Sequence, residues 1–209
     1  MATESSIFKK TIKDYLKQIE EIDLKPLATR LGAELDDETL IVPLFDKPYR
    51  VFNNGIIGPT GNQADVDVCV ILSKYILMCP TDFPRGKGWV SYRDFRDTGP
   101  LTVYFPDNVE RPIATHFSGK LDLLKAASLA LGGSPPSSAP AYDLVMQFNA
   151  LPRIALLLLF NDADDEFPAQ CSVLFQKTAD QFLDPECMAM LARILSVRLH
   201  KIDKTITGG

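Results

Sequence analysis

The sequence lacks the closely spaced cysteines and histidines that bind metals in short motifs. It contains four cysteines and two histidines, and none of them recurs at the fixed spacing of zinc ribbons or iron–sulfur sites. We therefore interpret Cys69, Cys79, Cys171 and Cys187 as small buried hydrophobic residues. The sequence predicts no metal site, no cofactor and no disulfide scaffold.

An excess of positive charge is also missing. The chain has 22 lysines and arginines against 27 aspartates and glutamates, a formal net charge of -5, which argues against nucleic acid as a partner. The first residues, MATESSIFKK, include no apolar segment of a secretory signal. The longest apolar run, IALLLLF at 154–160, is too short for a membrane-spanning helix. We expect a cytoplasmic protein with no nucleic-acid or membrane partner.

Familiar catalytic and phosphate-binding motifs are absent. The sequence has no nucleophile elbow, phosphate-binding loop or dinucleotide fingerprint. His200 falls near the C-terminus of a predicted helix, where the helix dipole favours a positive group, and His116 is next to Phe117 in another helix. We interpret both histidines as structural.

The spacing of apolar residues predicts an α+β fold. Helices are predicted at 5–22, 23–32, 62–79, 108–131 (broken near 118–120) and from Asp184 to about 202. Strands are predicted at 39–45, 48–52, 101–105, 142–149 and 153–160, whereas 169–183 is ambiguous. We expect a single domain with a largely antiparallel sheet packed against N-terminal, middle and C-terminal helices. An exposed flexible loop is expected at about 132–141, and a frayed tail at about 203–209.

An acidic run, NDADDEF, spans residues 161–167. The sixth and twelfth positions counted from Asp162 are Phe167 and Val173, whereas a calcium-binding helix–loop–helix needs glycine and glutamate there. We interpret the run as a solvated turn, with a single magnesium or calcium ion as the alternative. Its acids, Asp162, Asp164, Asp165 and Glu166, form a weak candidate site.

The strongest candidate site is the segment GKGWVSYRDF with the arginine that follows it. It contains the single tryptophan of the chain, and the candidate ligand-binding residues are Lys87, Trp89, Tyr92, Arg93 and Arg96. Guanidinium groups suit carboxylates or phosphates, and tryptophan suits a flat ring or a cation. If a helical turn begins at about residue 91, Tyr92 and Arg96 should project together.

The same segment also has a structural interpretation. Trp89 and Phe95 could fill the core, while the two arginines pair with nearby acids such as Asp94 and Asp97. Either arrangement is compatible with the spacing.

Four segments together carry a family resemblance: PLFDKPYRV, GKGWVSYRDF, PRIALLLLFNDADDEFPAQCSVLF and FLDPECMAML. With these, the chain resembles the bacterial and archaeal family catalogued as domain of unknown function 3786, from about residue 24 to 200. The resemblance implies a single domain and no established activity. Members come largely from anaerobes, and some carry an additional cysteine segment similar to the iron–sulfur segment of corrinoid proteins. This chain lacks that segment.

We expect a non-catalytic binding or accessory protein that recognises an anionic small molecule, a cofactor or a protein partner. Family analogy places this role near corrinoid or iron–sulfur metabolism. The alternative is an enzyme that acts on a small anionic substrate. In that case Arg93 and Arg96 would hold the substrate, and an acid from 162–166 would act as base.

Overall fold

The backbone is helical at both ends of the chain and has its strands between them, as the apolar spacing predicts. In the computed structural model, which describes residues 2–52 and 54–207, it forms six α-helices and two four-stranded sheets. The helices are α1 (Ala2–Glu20), α2 (Leu24–Leu31), α3 (Val66–Leu77), α4 (Arg111–Phe117), α5 (Leu121–Ala130) and α6 (Pro185–Thr207). The strands are β1 (Glu34–Asp36), β2 (Thr39–Leu44), β3 (Lys47–Phe52), β4 (Gly55–Ile57), β5 (Trp89–Ser91), β6 (Leu144–Leu151), β7 (Ile154–Asn161) and β8 (Gln170–Gln176).

The helix ends follow local capping rules. The Asp23 carboxylate accepts the backbone N–H of Lys25 at 3.1 Å, and Gly32 ends α2 in the left-handed conformation with φ 68°. The Asp184 carboxylate accepts the backbone N–H of Cys187 at 2.9 Å, immediately before Pro185 begins α6. These short-range signals explain why both helices could be predicted from the sequence.

Each sheet is antiparallel, but their connections differ. The first sheet has the order β1-β2-β3-β4, so every strand pairs with its neighbour in sequence. The second has the order β5-β8-β7-β6, so β5 pairs with a strand that comes much later in the chain. β7 lies inside this sheet, which confirms the prediction from its continuous apolar run.

The main hydrophobic core extends from α1 to α6 and includes residues of both sheets. The sheets are also joined directly, because the backbone N–H of Phe45 donates to the carbonyl oxygen of Ala150 at 3.0 Å. The rings of Phe45 and Phe148 meet edge to face, with centroids 6.4 Å apart. The chain is therefore a single α+β domain, as predicted.

The second sheet has two apolar faces. The inner face belongs to the main core, together with buried residues of α4, α5 and α6. The opposite side, which we call the outer face, carries a separate cluster of Val145, Leu157 and Leu159, with Trp89 and Leu174 packed against it. Among the residues that the structure describes, none from a helix belongs to this cluster.

The structure contradicts one predicted strand, assigns the segment that was ambiguous, and describes part of the expected tail. Residues 101–105 are not a strand; they form turns that lead into a helix, because Phe105 is buried against the core while Val103 is 75% exposed. The ambiguous segment 169–183 contains β8 and a 3₁₀ turn at Ala179–Gln181. Residues 203–207, expected in the frayed tail, continue α6, and residues 208 and 209 lie outside the described part.

Within the described ranges, none of the helices combines the length and the apolar character that crossing a membrane requires.

Candidate functional site

The segment with the tryptophan enters the second sheet through a glycine loop. Gly88 has φ 107°, a conformation that favours glycine, and its carbonyl oxygen accepts the backbone N–H of Lys177 at 3.0 Å. A Cβ atom on Gly86 would lie 3.1 Å from the Thr178 methyl carbon. The loop therefore lies close against the chain that follows β8, which positions Lys87 and Trp89.

Lys87 and Trp89 line one cavity, which we call the Lys87 cavity. It has a volume of about 270 Å³ and opens at the end of the outer face. Its wall consists of Gly86, Lys87, Gly88, Trp89, Gln147, Ala155 and Gln176. Lys87 is the single charged residue among them. Its side chain is exposed and has no ion pair within the described residues.

The two glutamines of this wall were not anticipated. Gln147 of β6 lies opposite Leu157 of β7, and Gln176 of β8 lies opposite Trp89 of β5. The alternation of side chains along β6 could have placed Gln147 on the outer face. Gln176 falls in the segment whose secondary structure was ambiguous, so no sequence pattern placed it beside the tryptophan.

Tyr92 is buried in the core, whereas Trp89 is not. The Tyr92 ring stacks on Phe105 with centroids 4.4 Å apart, and its hydroxyl donates to the Pro185 carbonyl oxygen at 2.9 Å. Burial, followed by the nearby carboxylates of Glu186 and Asp184, raises the pKa of Tyr92 to about 12. The structural interpretation expected Trp89 and Phe95 to fill the core, and of these two only Phe95 is buried.

The two arginines follow neither arrangement predicted from the sequence. Both are exposed, so Arg96 does not project together with the buried Tyr92. In the part of the chain that the structure describes, neither arginine forms an ion pair with Asp94 or Asp97. Arg93 lines a second cavity, whereas Arg96 lines neither cavity.

This second cavity, which we call the Glu110 cavity, has a volume of about 240 Å³. Its wall consists of Ser91, Tyr92, Arg93, Thr102, Phe105, Pro106, Glu110 and Ser172. Glu110 ends a π-helical stretch, Pro106–Glu110, and accepts the backbone N–H of Val173 at 2.9 Å. Burial raises the pKa of Glu110, and the lowering effects of this hydrogen bond and of the Arg93 guanidinium do not offset it.

The acidic turn is held by backbone hydrogen bonds. Asp162 accepts the N–H groups of Gly119 and Ala163 at 2.7 and 2.8 Å. Asp164 accepts those of Glu166 and Phe167, which lower the pKa of its carboxyl group. Among the described residues there is no group of three or more His, Cys, Asp or Glu side chains placed to hold a metal ion.

The arginines and the acidic turn line different surfaces. Asp162 and Asp164 line a depression with Asp143 and Gln170, and no arginine contributes to its wall. The acid that shares a cavity with Arg93 is instead Glu110. A single glutamate within a predicted helix gave no signal in the sequence.

The two histidines lie together beside the end of α6. His116 Nε2 is 2.6 Å from the buried Asp203 carboxylate, and the rings of His116 and His200 have centroids 4.3 Å apart. His200 Nδ1 is 2.6 Å from the Ser196 carbonyl oxygen. The contacts of His116 with Asp203 and His200 join α4 to α6.

All four cysteines are free thiols. Cys69 and Cys187 are buried, and Cys79 and Cys171 are partly exposed. Burial raises the pKa of each thiol, in the case of Cys69 to about 11. The buried pair fits the interpretation of cysteine as a small hydrophobic residue.

Comparison with known proteins agrees with the resemblance seen in the sequence. No curated protein and no solved structure matches the chain. A family model described as Domain of unknown function (DUF3786) matches residues 23–198, which include both cavities and all strands of the two sheets. The chain therefore belongs to the DUF3786 family.

Proposed function

We propose that the protein is a non-catalytic binding protein that recognises a small anionic molecule with a planar ring in the Lys87 cavity. The observation that supports this most directly is the charge of the wall, where Lys87 is the one ionised side chain. An anion entering the cavity meets an attractive charge and no carboxylate.

The position of Lys87 strengthens this attraction. Its ammonium group has no ion-pair partner among the described residues, so a ligand does not have to displace a protein carboxylate. The wall around it is partly apolar, and a charge interaction is stronger near such a wall than in bulk water. Lys87 therefore supplies affinity for a carboxylate or a phosphate.

The neighbouring side chains favour a planar ligand. Trp89 offers an aromatic surface on the outer face, and Gln147 and Gln176 each carry an amide that can donate and accept hydrogen bonds. A volume of about 270 Å³ lies below the usual range for drug-sized ligands, so the ligand should be small.

The composition of the wall favours binding over catalysis. It contains glycine, alanine, tryptophan and glutamine besides the lysine, and none of its residues carries a carboxylate, imidazole, hydroxyl or thiol side chain. General acid–base catalysis and most covalent mechanisms use such groups or a buried lysine, whereas Lys87 is exposed. We expect the bound molecule to leave unchanged.

The single tryptophan provides a direct test, because Trp89 is the only source of indole fluorescence in the chain. We would titrate the protein with nicotinate, benzoate, inorganic phosphate and nicotinamide. Nicotinamide matches nicotinate in shape but carries no charge. A corrinoid, which the family analogy suggests, is far larger than the cavity and should not bind in it. Saturable quenching by nicotinate or benzoate, with weaker quenching by nicotinamide, is the expected result.

Two variants make the test specific. Lys87→Gln should weaken binding about tenfold or more, because it removes the one charge of the wall. Lys177→Gln is the matched control, since Lys177 is exposed and follows the wall residue Gln176 but does not itself line the cavity. Equal binding of nicotinate and nicotinamide, or unchanged binding by Lys87→Gln, would contradict the proposal. So would a complete absence of binding across the series.

A further inference from the structure

We infer that the Glu110 cavity is a second, separate binding site, which takes a small zwitterion with an ammonium and a carboxylate close together, as in an α-amino acid. This site lies at the other end of β5 from the Lys87 cavity. The two cavities share no wall residue.

The first argument is the pair of opposite charges on one small wall. Arg93 and Glu110 both line the cavity, and the guanidinium is close enough to influence the carboxyl group electrostatically. No ion pair joins them in the described structure. A space between two opposite charges fits a ligand that carries the complementary charges, with its carboxylate at Arg93 and its ammonium at Glu110.

The second argument is that Glu110 is held in place before any ligand arrives. β5 ends at Ser91, opposite Leu174, so the next residue of β8 has no strand partner on that side. Glu110 provides the missing hydrogen-bond acceptor for this residue, Val173, because its Oε1 accepts the Val173 N–H at 2.9 Å. This bond orients the carboxylate through the sheet, and a fixed orientation lowers the entropy lost on binding.

The backbone that carries Glu110 is itself unusual. The stretch Pro106–Glu110 is π-helical and continues directly into α4. Such stretches are rare and occur frequently at functional sites. Here the π-helical stretch ends at the residue whose carboxylate reaches the strand.

The remaining wall provides hydroxyl groups and an apolar surface. The hydroxyl groups of Ser91 and Ser172 form no hydrogen bond with the described part of the protein, whereas that of Thr102 already donates to the Gly99 carbonyl at 2.8 Å. Phe105 and Pro106 supply apolar contact. A volume of about 240 Å³ suits a ligand with a short side chain, such as alanine.

Three compounds separate the charges of the ligand. L-alanine carries both groups, propionate lacks the ammonium, and ethylamine lacks the carboxylate. Isothermal titration calorimetry with the full chain should show binding of L-alanine, with propionate and ethylamine each about tenfold weaker or undetectable. Propionate binding as tightly as L-alanine would overturn the inference, as would no binding of L-alanine.

Variants then assign the two charges. Glu110→Gln retains an oxygen that can accept the Val173 N–H, so the fold is preserved while the negative charge is removed. It should weaken L-alanine about tenfold or more but not weaken propionate. Arg93→Gln should weaken both.

Arg111→Gln is the control, because Arg111 is an exposed neighbour that does not line the cavity. It should bind L-alanine as the unaltered chain does. Undiminished binding of L-alanine by Glu110→Gln would overturn the inference. Thermal unfolding of each variant shows whether a loss of binding reflects a loss of fold.

Discussion

The Tyr92 hydroxyl donates a hydrogen bond of 2.9 Å to the carbonyl oxygen of Pro185, the residue that begins α6. This contact ties the tryptophan-containing segment to the C-terminal helix. Tyr92 and Phe95 point into the core, while Lys87, Trp89 and Arg93 face two cavities. The segment thus acts as an anchored edge whose outward side chains are available for ligands.

Tyr92→Phe should lower the free energy of unfolding by about 1 kcal/mol, because it removes one hydrogen bond and retains the stacked ring. Tyr92→Ala should cost about 3–5 kcal/mol, because it empties a fully packed position. Urea unfolding measures both. A small cost for Tyr92→Ala would show that the aromatic ring is not a core residue.

Arg96→Ala should change the free energy of unfolding by no more than about 0.5 kcal/mol, as exposed substitutions usually do. Arg153→Ala provides a contrast, because its guanidinium donates to the carbonyl oxygens of Arg30 and Thr29 at 2.9 and 3.0 Å. We expect about 2 kcal/mol for that change. A cost above about 2 kcal/mol for Arg96→Ala would instead indicate a buried ionic partner.

Asp184→Asn should reveal a pH-dependent contribution to stability. The Asp184 carboxylate pairs with the Lys74 ammonium at 3.0 Å and caps α6. Burial alone would raise the pKa of this carboxyl group, but the Cys187 N–H and Lys74 outweigh it, so the net pKa is lowered.

A lowered pKa in the folded state means that the stabilisation is present above the unfolded-state pKa and is lost as the pH falls through the folded-state value. At neutral pH we expect Asp184→Asn to cost about 1 kcal/mol, because asparagine still caps the helix. The difference from the unaltered protein should shrink below about pH 4. A difference that stays constant with pH would contradict this account.

Gly133→Ala tests how the exposed loop at about 132–141 begins. A Cβ atom there would lie 2.7 Å from the Phe148 ring and 2.8 Å from the Ser128 carbonyl oxygen, too close for either to remain in place. We expect a loss of about 2 kcal/mol or more in urea unfolding. Ser138→Ala, at an exposed position of the same loop, should have almost no effect. Equal effects would mean that the loop is not anchored at Gly133.

The thiols should react slowly in the native protein. Burial raises the pKa of all four, so at a given pH each thiol forms less of the reactive thiolate than an exposed cysteine does. A chromogenic disulfide reagent should therefore titrate four thiols quickly in denaturant and slowly without it.

Elemental analysis of anaerobically purified protein should give no stoichiometric zinc or iron. One metal per chain would contradict the prediction.

The features that the sequence predicted well are those set by near neighbours. Asp23, Gly32 and Asp184 mark helix ends through contacts within a few residues, so their roles are visible in the sequence. The strand predicted at 101–105 was wrong because the stacking of Phe105 on Tyr92 overrides local strand propensity.

The candidate site could be predicted only in part for the same reason. Lys87, Trp89 and Arg93 stand close together in the sequence, and their residue types indicated a ligand. Glu110 and Gln176 join them only because β8 pairs with β5 across a long separation in the chain. Spacing rules within one segment cannot detect such a partner.

The position of β5 has a consequence for the order in which the protein assembles. β6, β7 and β8 follow one another through short connections, whereas β5 must close a loop from residue 91 to residue 170 for only three residue pairs. We therefore expect β5 to dock late in folding and to detach first in local unfolding. Both cavities take part of their wall from this strand. A ligand bound in either cavity should therefore stabilise the pairing of β5 with β8 and oppose its local unfolding.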